Sequence, residues 1–225
     1  WSSDVCSSDL GGAGFIGSHL AELHLNNGDN VLAVDDLSTG RRSNIESLLD
    51  DGEFRFEVSD LLDWPELEDA VAEADRIYHL AAVVGMFRVL DEPVEVMRVN
   101  VGGTETLLEA VVRMGVSPEI LIASSSSVYG AGTHLNEEAE LVFVPEEGGL
   151  TGYALSKLAN EIQALAYGRE HGLSMAVPRI FNTVGPRQSG SYGFVLPRFV
   201  RQALEGIPLT VFGDGSQTRS FCDVR

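Results

Sequence analysis

Apolar residues fall along this chain in two alternating rhythms. Short runs rich in Val, Ile, Leu and aromatics, NVLAVD (30–35), EFRFEV (53–58), RIYHLA (76–81), EILIAS (119–124) and SMAVPRI (174–180), are separated by Gly, Asn, Asp and Pro punctuation. Between them, segments at 15–27, roughly 64–73, 94–114 and 151–171 carry their apolar residues near helical period. In the last of these, Tyr153, Leu155, Leu158, Ile162 and Leu165 form the apolar stripe, with Lys157, Glu161 and Arg169 among the polar positions. Strand and helix in strict alternation predict an α/β fold, a doubly wound parallel sheet covered on both faces, over residues 11–180.

The pattern changes at both ends. After residue 181 the chain turns loop-rich, with Gly185, Pro186, Gly190, Gly193 and Pro197, then a helix and a short LTVF strand (209–212). Residues 181–225 are therefore expected to be the start of a substrate-covering lobe, truncated after TRSFCDVR. At the other end, VCSSDL (5–10) is a poor candidate for a buried strand.

The chain's 225 residues suffice for one α/β domain with part of a second. Fifteen basic against 34 acidic residues leave a net charge of −19, which argues against a nucleic-acid partner; an anionic ligand must be held by local donors. Cys6 and Cys222 lie near opposite ends without metal-ligand or secreted-disulfide spacing, so no metal is expected and a reduced cytoplasm is the default. No apolar run approaches a membrane span, and a soluble protein is expected.

Gly11, Gly14 and Gly17 form a G-x-x-G-x-x-G turn opening the helix FIGSHLAELHLNN, the arrangement that lets a helix N-terminus meet a pyrophosphate. Asp35 ends the next strand, 35 − 17 = 18 residues beyond the last glycine, where an acid bonds an adenosine ribose. A carboxylate there repels a 2′-phosphate and predicts NAD over NADP, while Arg41 and Arg42 keep the opposite choice open. Asp60 has two uses open to it: capping the following segment, or accepting from the adenine amino group.

GGAGFIGSHL, DDLSTG, YHLAA, NVGGTETLLEA, SSSSVYG, YALSK and RIFNTVGPR follow one another in the order and approximate spacing of the extended short-chain dehydrogenase/reductases. From Gly11 to about Phe221 the chain resembles that family's NAD-dependent nucleotide-sugar epimerases and dehydratases, of the UDP-glucose 4-epimerase type. The resemblance implies a Rossmann-type sheet with a partial C-terminal substrate-binding lobe. It also marks a departure: family members begin with an apolar strand running into Thr-Gly-Gly, whereas Ser7, Ser8 and Asp9 stand here, with Leu10 at the threonine. Burying three such side chains without partners costs on the order of several kcal/mol. DVCSSDL also back-translates onto the end of a common sequencing-adapter oligonucleotide, so residues 1–10 are expected to be a non-native leader in place of the native strand.

Tyr153 and Lys157, four apart on a helix, share one face and can converge on one cofactor ribose. A neighbouring ammonium favours the phenolate and draws a tyrosine toward use as a base. By position before VYG, Ser125 matches the family's catalytic Ser/Thr, which bonds the sugar oxygen; Ser124 is expected to be structural. The family's 4,6-dehydratases carry an Asp-Glu pair after their Thr, and related UDP-glucuronate decarboxylases a Glu just before VYG; this chain has Ser126 and Ser127. The resemblance then implies an isomerase: Tyr153 deprotonates a sugar hydroxyl, at C4, as hydride passes to NAD, and hydride returns to the other face of a transient 4-keto sugar. Two rivals stand beside this reading, a UDP-glucuronate decarboxylase or sugar dehydratase on the same scaffold and a non-catalytic nucleotide-binding module.

By the same resemblance, Phe15 and Ile16 join the glycines in the cofactor turn, Leu61 follows Asp60 at the adenine, Leu80, Ala81 and Ala82 line the cofactor groove, and Asn100 braces the loop beneath it. Asn182 and Arg219 are expected to bind the substrate diphosphate, with Arg187 a weaker candidate, and Val211 and Phe212 to flank its base. His79 is expected in the core. A UDP-sugar substrate, a cytoplasmic location and a homodimer through the helices at 94–114 and 151–171 complete the expectation.

Overall fold

In the computed structural model, residues 6–132, 135–143, 151–190 and 194–225 are described. In chain order the strands are β1 (Cys6–Leu10), β2 (Asn30–Asp35), β3 (Phe54–Val58), β4 (Arg76–His79), β5 (Glu119–Ile122), β6 (Ser124–Ser125), β7 (Ser174–Ala176), β8 (Arg179–Ile180), β9 (Asn182–Val184) and β10 (Phe221–Asp223). The helices are α1 (Phe15–Asn26), α2 (Leu67–Glu73), α3 (Met86–Asp91), α4 (Pro93–Met114), α5 (Thr151–His171) and α6 (Val195–Leu204). Six strands pair in the order β3-β2-β1-β4-β5-β7, every pair parallel. The order reverses between β1 and β4, and that switch point is where an open parallel sheet offers a crevice at its carboxyl ends.

Each face of the sheet has its own apolar layer. Leu10, Leu32, Val34, Ile77, Ile120 and Ile122 pack against Leu67 and Val71 of α2 and Leu107, Leu108 and Val111 of α4. Val31, Ala33 and Phe54 pack against Ala21 of α1 and the turn residues Ile45 and Leu48. Beyond Leu173 no described residue is buried, so the segment from β8 onward lies against the domain without a core of its own.

Four sequence expectations are corrected. EILIAS and SMAVPRI each form two short strands: after Ile122 and before Arg179 the chain leaves the main sheet, and Ser124 donates instead to the carbonyl of Pro178, at 2.9 Å. LTVF forms no strand, and Phe212 lies under the Arg198 guanidinium, 4.8 Å from its ring centre. The stripe on α5 points largely outward: Leu155, Ile162 and Leu165 are exposed, while Ala154, Ser156, Lys157, Asn160, Glu161 and Ala164 are buried. Its inner face is built from small residues and polar groups paired inside the protein, which periodicity alone reads as surface.

VCSSDL, read as a poor strand, supplies β1, hydrogen-bonded to β2 and β4 at the centre of the sheet. The composition still leaves its mark. Ser7, Ser8 and Asp9 are buried, and both serine hydroxyls and both carboxyl oxygens of Asp9 have no hydrogen-bond partner. Burial, with the nearby Asp35 charge, pushes the Asp9 carboxyl up to about 8, so it sits protonated at neutral pH.

Candidate functional site

A cavity of about 440 Å³ runs along the carboxyl ends of β1, β2, β4 and β6. The glycine turn forms its floor. Gly11 has φ +96°, and a Cβ there would stand 2.8 Å from the Ala81 nitrogen; a Cβ on Gly17 would collide with the Gly11 carbonyl. Only glycine lets the backbone of this turn, with Phe15 and Ile16, lie so close to the groove that they line. No side chain caps α1 at Gly14, so the first-turn amides remain available to an anion. This glycine cradle and uncapped helix end fit a dinucleotide pyrophosphate.

The chain after β2 wraps the turn. Asp35 accepts from the amides of Ala13 (3.1 Å) and Leu37 (2.8 Å). Burial raises its pKa, as does Asp36, against the lowering effect of these amides and that of Gly14. Both Asp35 and Asp36 line the groove. The two arginines that left NADP open have other partners: Arg42 lies 5.9 Å from the Phe56 ring centre, and Arg41 donates to the Ser189 hydroxyl at 3.1 Å. Asp60 caps the turn that follows it, accepting from the Leu62 amide at 3.0 Å, and with Leu61 it lines the wall beside Arg98.

Leu80, Ala81 and Ala82 form the opposite wall. Asn100 stands behind it, fully buried, accepting from the Val83 amide (2.7 Å) and donating to the Val83 carbonyl and the Ser156 hydroxyl. His79, with Nε2 bonded to Thr104, is pushed down to about 3 by burial and by the Lys157 charge, so it stays neutral and offers no acid–base chemistry near pH 7.

Ser125, Tyr153 and Lys157 meet on the groove wall. Burial pushes the Tyr153 phenol up, and its hydrogen bond with the Ser125 hydroxyl draws it back. Lys157 donates to the Ala123 carbonyl at 2.8 Å, and burial lowers its pKa to about 8. Ser125 also accepts from the Ser127 amide and bonds its hydroxyl, so β6 ends in a turn of serine hydroxyls. Among the described residues the acids on the groove wall, Asp35, Asp36, Asp60 and Glu95, belong to other elements; none stands on that turn or on α5.

Asn182 lines the groove and donates to the Ser220 carbonyl. Val211 and Arg219 lie outside it: both are exposed, and the Arg219 guanidinium donates to the neighbouring Thr218 carbonyl. These two are not brought to the other predicted residues, because the segment bearing them has no buried anchor. The segment 186–189, of which the sequence suggested only Arg187, is a strap across the groove mouth. Arg187, at φ +67°, donates to the Ser18 carbonyl (3.0 Å) and to Glu22 (2.7 Å), and the Pro186 carbonyl lies 3.1 Å from His19 Nε2. A non-glycine residue held in the left-handed region is a signal that only coordinates expose.

Similar proteins fall in one group. UDP-N-acetyl-alpha-D-glucosaminuronate decarboxylase of Bacillus cytotoxicus is 36% identical over 94% of this chain and 65% of its own length. Two solved structures each match 98% of this chain and 69% of their own: UDP-N-acetylglucosamine 4-epimerase of Methanobrevibacter ruminantium (TM-score 0.88, 28% identity) and UDP-glucuronic acid 4-epimerase of Bacillus cereus, in complex with UDP-glucuronic acid and NAD (TM-score 0.85, 32% identity). The chain spans about half to two thirds of the length of the curated relatives it matches. No helix among the described residues is long and apolar enough to cross a membrane. With the glycine cradle, the Tyr-Lys pair and the serine turn on one Rossmann-type groove, and the description "NAD dependent epimerase/dehydratase family" matching residues 10–225, the chain belongs to that family.

Proposed function

We propose that this protein epimerises a nucleotide sugar, at C4 of a UDP-hexose or UDP-uronic acid. The observation that carries this reading is the turn after Ser125, where Ser126 and Ser127 replace the carboxylates that elimination and decarboxylation use as acid and base. Bound NAD supplies the acceptor, and later the donor, of a hydride. Tyr153 takes the proton from the sugar hydroxyl and returns it. Ser125 orients that hydroxyl and bonds the phenol, and Lys157 supplies the positive charge that favours the phenolate. Asn182 is proposed to bind the substrate diphosphate; the same role for Arg219, and a base-binding role for Val211, would require their segment to move onto the groove.

The decarboxylase alternative draws support from the Bacillus cytotoxicus relative. Incubating the protein with UDP-glucose and UDP-glucuronate and following the products by NMR separates the readings. A C4-inverted sugar is expected. A pentose with released CO2 would overturn epimerisation in favour of decarboxylation, and unchanged sugars with bound NAD would favour a non-catalytic module.

The proposal also takes in a cytoplasmic location, a homodimer, a substrate-binding role for 181–225 and a non-native leader at 1–10. The unpartnered Ser7, Ser8 and Asp9, and a family match beginning at residue 10, support the last of these.

A further inference from the structure

Three residues at four-residue intervals on the inner face of α5 reach three consecutive residues of the chain opposite. Tyr153 faces the Ser125 hydroxyl, which draws its raised pKa down, Lys157 donates to the Ala123 carbonyl at 2.8 Å, and Glu161 accepts from the Ser124 hydroxyl at 2.5 Å. Glu161 is the rung that the proposed chemistry does not use. It is buried, it lies outside the groove lining, and both its oxygens are taken: Oε1 by Ser124 and by Arg179 Nε (2.9 Å), Oε2 by Arg179 Nη2 (2.8 Å).

Arg179 carries the contact to the far side of Ser125. It pairs in register with Ser124 through β6 and β8, and its guanidinium lies 4.8 Å from the ring centre of Tyr129, a buried residue of the turn that follows Ser125. Carboxylate and guanidinium together therefore hold the chain on both sides of Ser125, at Ser124 and at Tyr129. A buried ion pair of this kind is weak evidence for stability, since a well-packed apolar pair of similar volume often does as well. Its fixed, forked geometry suits orientation, and proton transfer between a tyrosine and a sugar hydroxyl loses rate steeply when the partners move by about 1 Å.

We infer that Glu161, through Ser124 and Arg179, is a positioning residue that sets Ser125 against Tyr153. The inference rests on the proposed role of that pair. Its test uses Glu161→Gln and the double variant Glu161→Ala/Arg179→Met, which leaves no unpaired buried charge and so separates positioning from folding. Both are expected to retain NAD and to keep KM close to the parent's, while kcat falls by roughly 10- to 100-fold. A folded, NAD-loaded double variant with the parent's kcat would overturn the inference. A second readout needs no turnover: NMR of 13C-labelled tyrosine, with Tyr153 assigned by Tyr153→Phe, is expected to show its titration shifted upward in the double variant as the Ser125 bond is lost. An unchanged titration would overturn the positioning role, whereas a parent that turns over no UDP-sugar would overturn the functional reading alone.

Discussion

Lys157 and Tyr153 stand together on the groove wall, and their surroundings give each proposed role a separate signature. With the phenol as the proposed proton carrier, Tyr153→Phe is expected to lower kcat by at least about 100-fold. NAD released from the purified variant and quantified by chromatography should match the parent's. Lys157 has a pKa near 8 in the fold, against 10.5 in a free lysine, because burial disfavours its charge. Between these values the unfolded chain holds the proton that the folded chain has lost, so this residue adds stability as pH rises from about 8 to 10.5. Lys157→Met should remove that gain, read as urea midpoints at pH 8 and 10. In the proposed mechanism the same titration withdraws the ammonium that favours the phenolate, so turnover should fall on the alkaline side of pH 8.

At the scale of elements, β1 is the least suitable segment for its place. Asp9 has a folded pKa of about 8, above its ordinary 3.8, so on top of the constant cost of its unpartnered oxygens its burial adds no pH-dependent cost below pH 4 and progressively more as pH rises to 8. Urea midpoints should fall across that window, and the triple variant Ser7→Val/Ser8→Val/Asp9→Val should be more stable throughout and lack this fall; a variant no more stable than the parent would count against a foreign strand. The strap offers a different test. Arg187→Ala removes its charge-assisted bonds to α1 and should speed NAD release by roughly tenfold, measured by trapping released cofactor. The strand–helix alternation, the bounds of the long helices and the Tyr153-Lys157 pair were legible because spacing along the chain determines them. The Glu161–Arg179 bridge and the strap were not, since each joins residues far apart in sequence, and a buried polar helix face has no distinctive period.

For the whole molecule, the decisive tension is between a net charge of −19 and an apolar surface on the packed pair α4 and α5. Val94 and Met97 on α4, with Leu155, Ile162 and Leu165 on α5, are exposed, Ile162 at 60% and Leu165 at 68%. Exposed apolar residues on neighbouring helices suit a two-fold, self-complementary contact between copies. Charge opposes that contact at long range, and salt screens it, the Debye length falling from about 30 Å at 0.01 M to about 3 Å at 1 M. Association should therefore tighten with ionic strength, the reverse of a contact built on ion pairs. Analytical ultracentrifugation at low and high salt is expected to show a monomer–dimer equilibrium moving toward dimer as salt rises. Ile162→Glu/Leu165→Glu should hold the protein monomeric at both, with NAD content unchanged because neither residue lines the groove. A parent that is monomeric at every salt concentration, or a double variant that dimerises as the parent does, would rule out this face as the dimer contact.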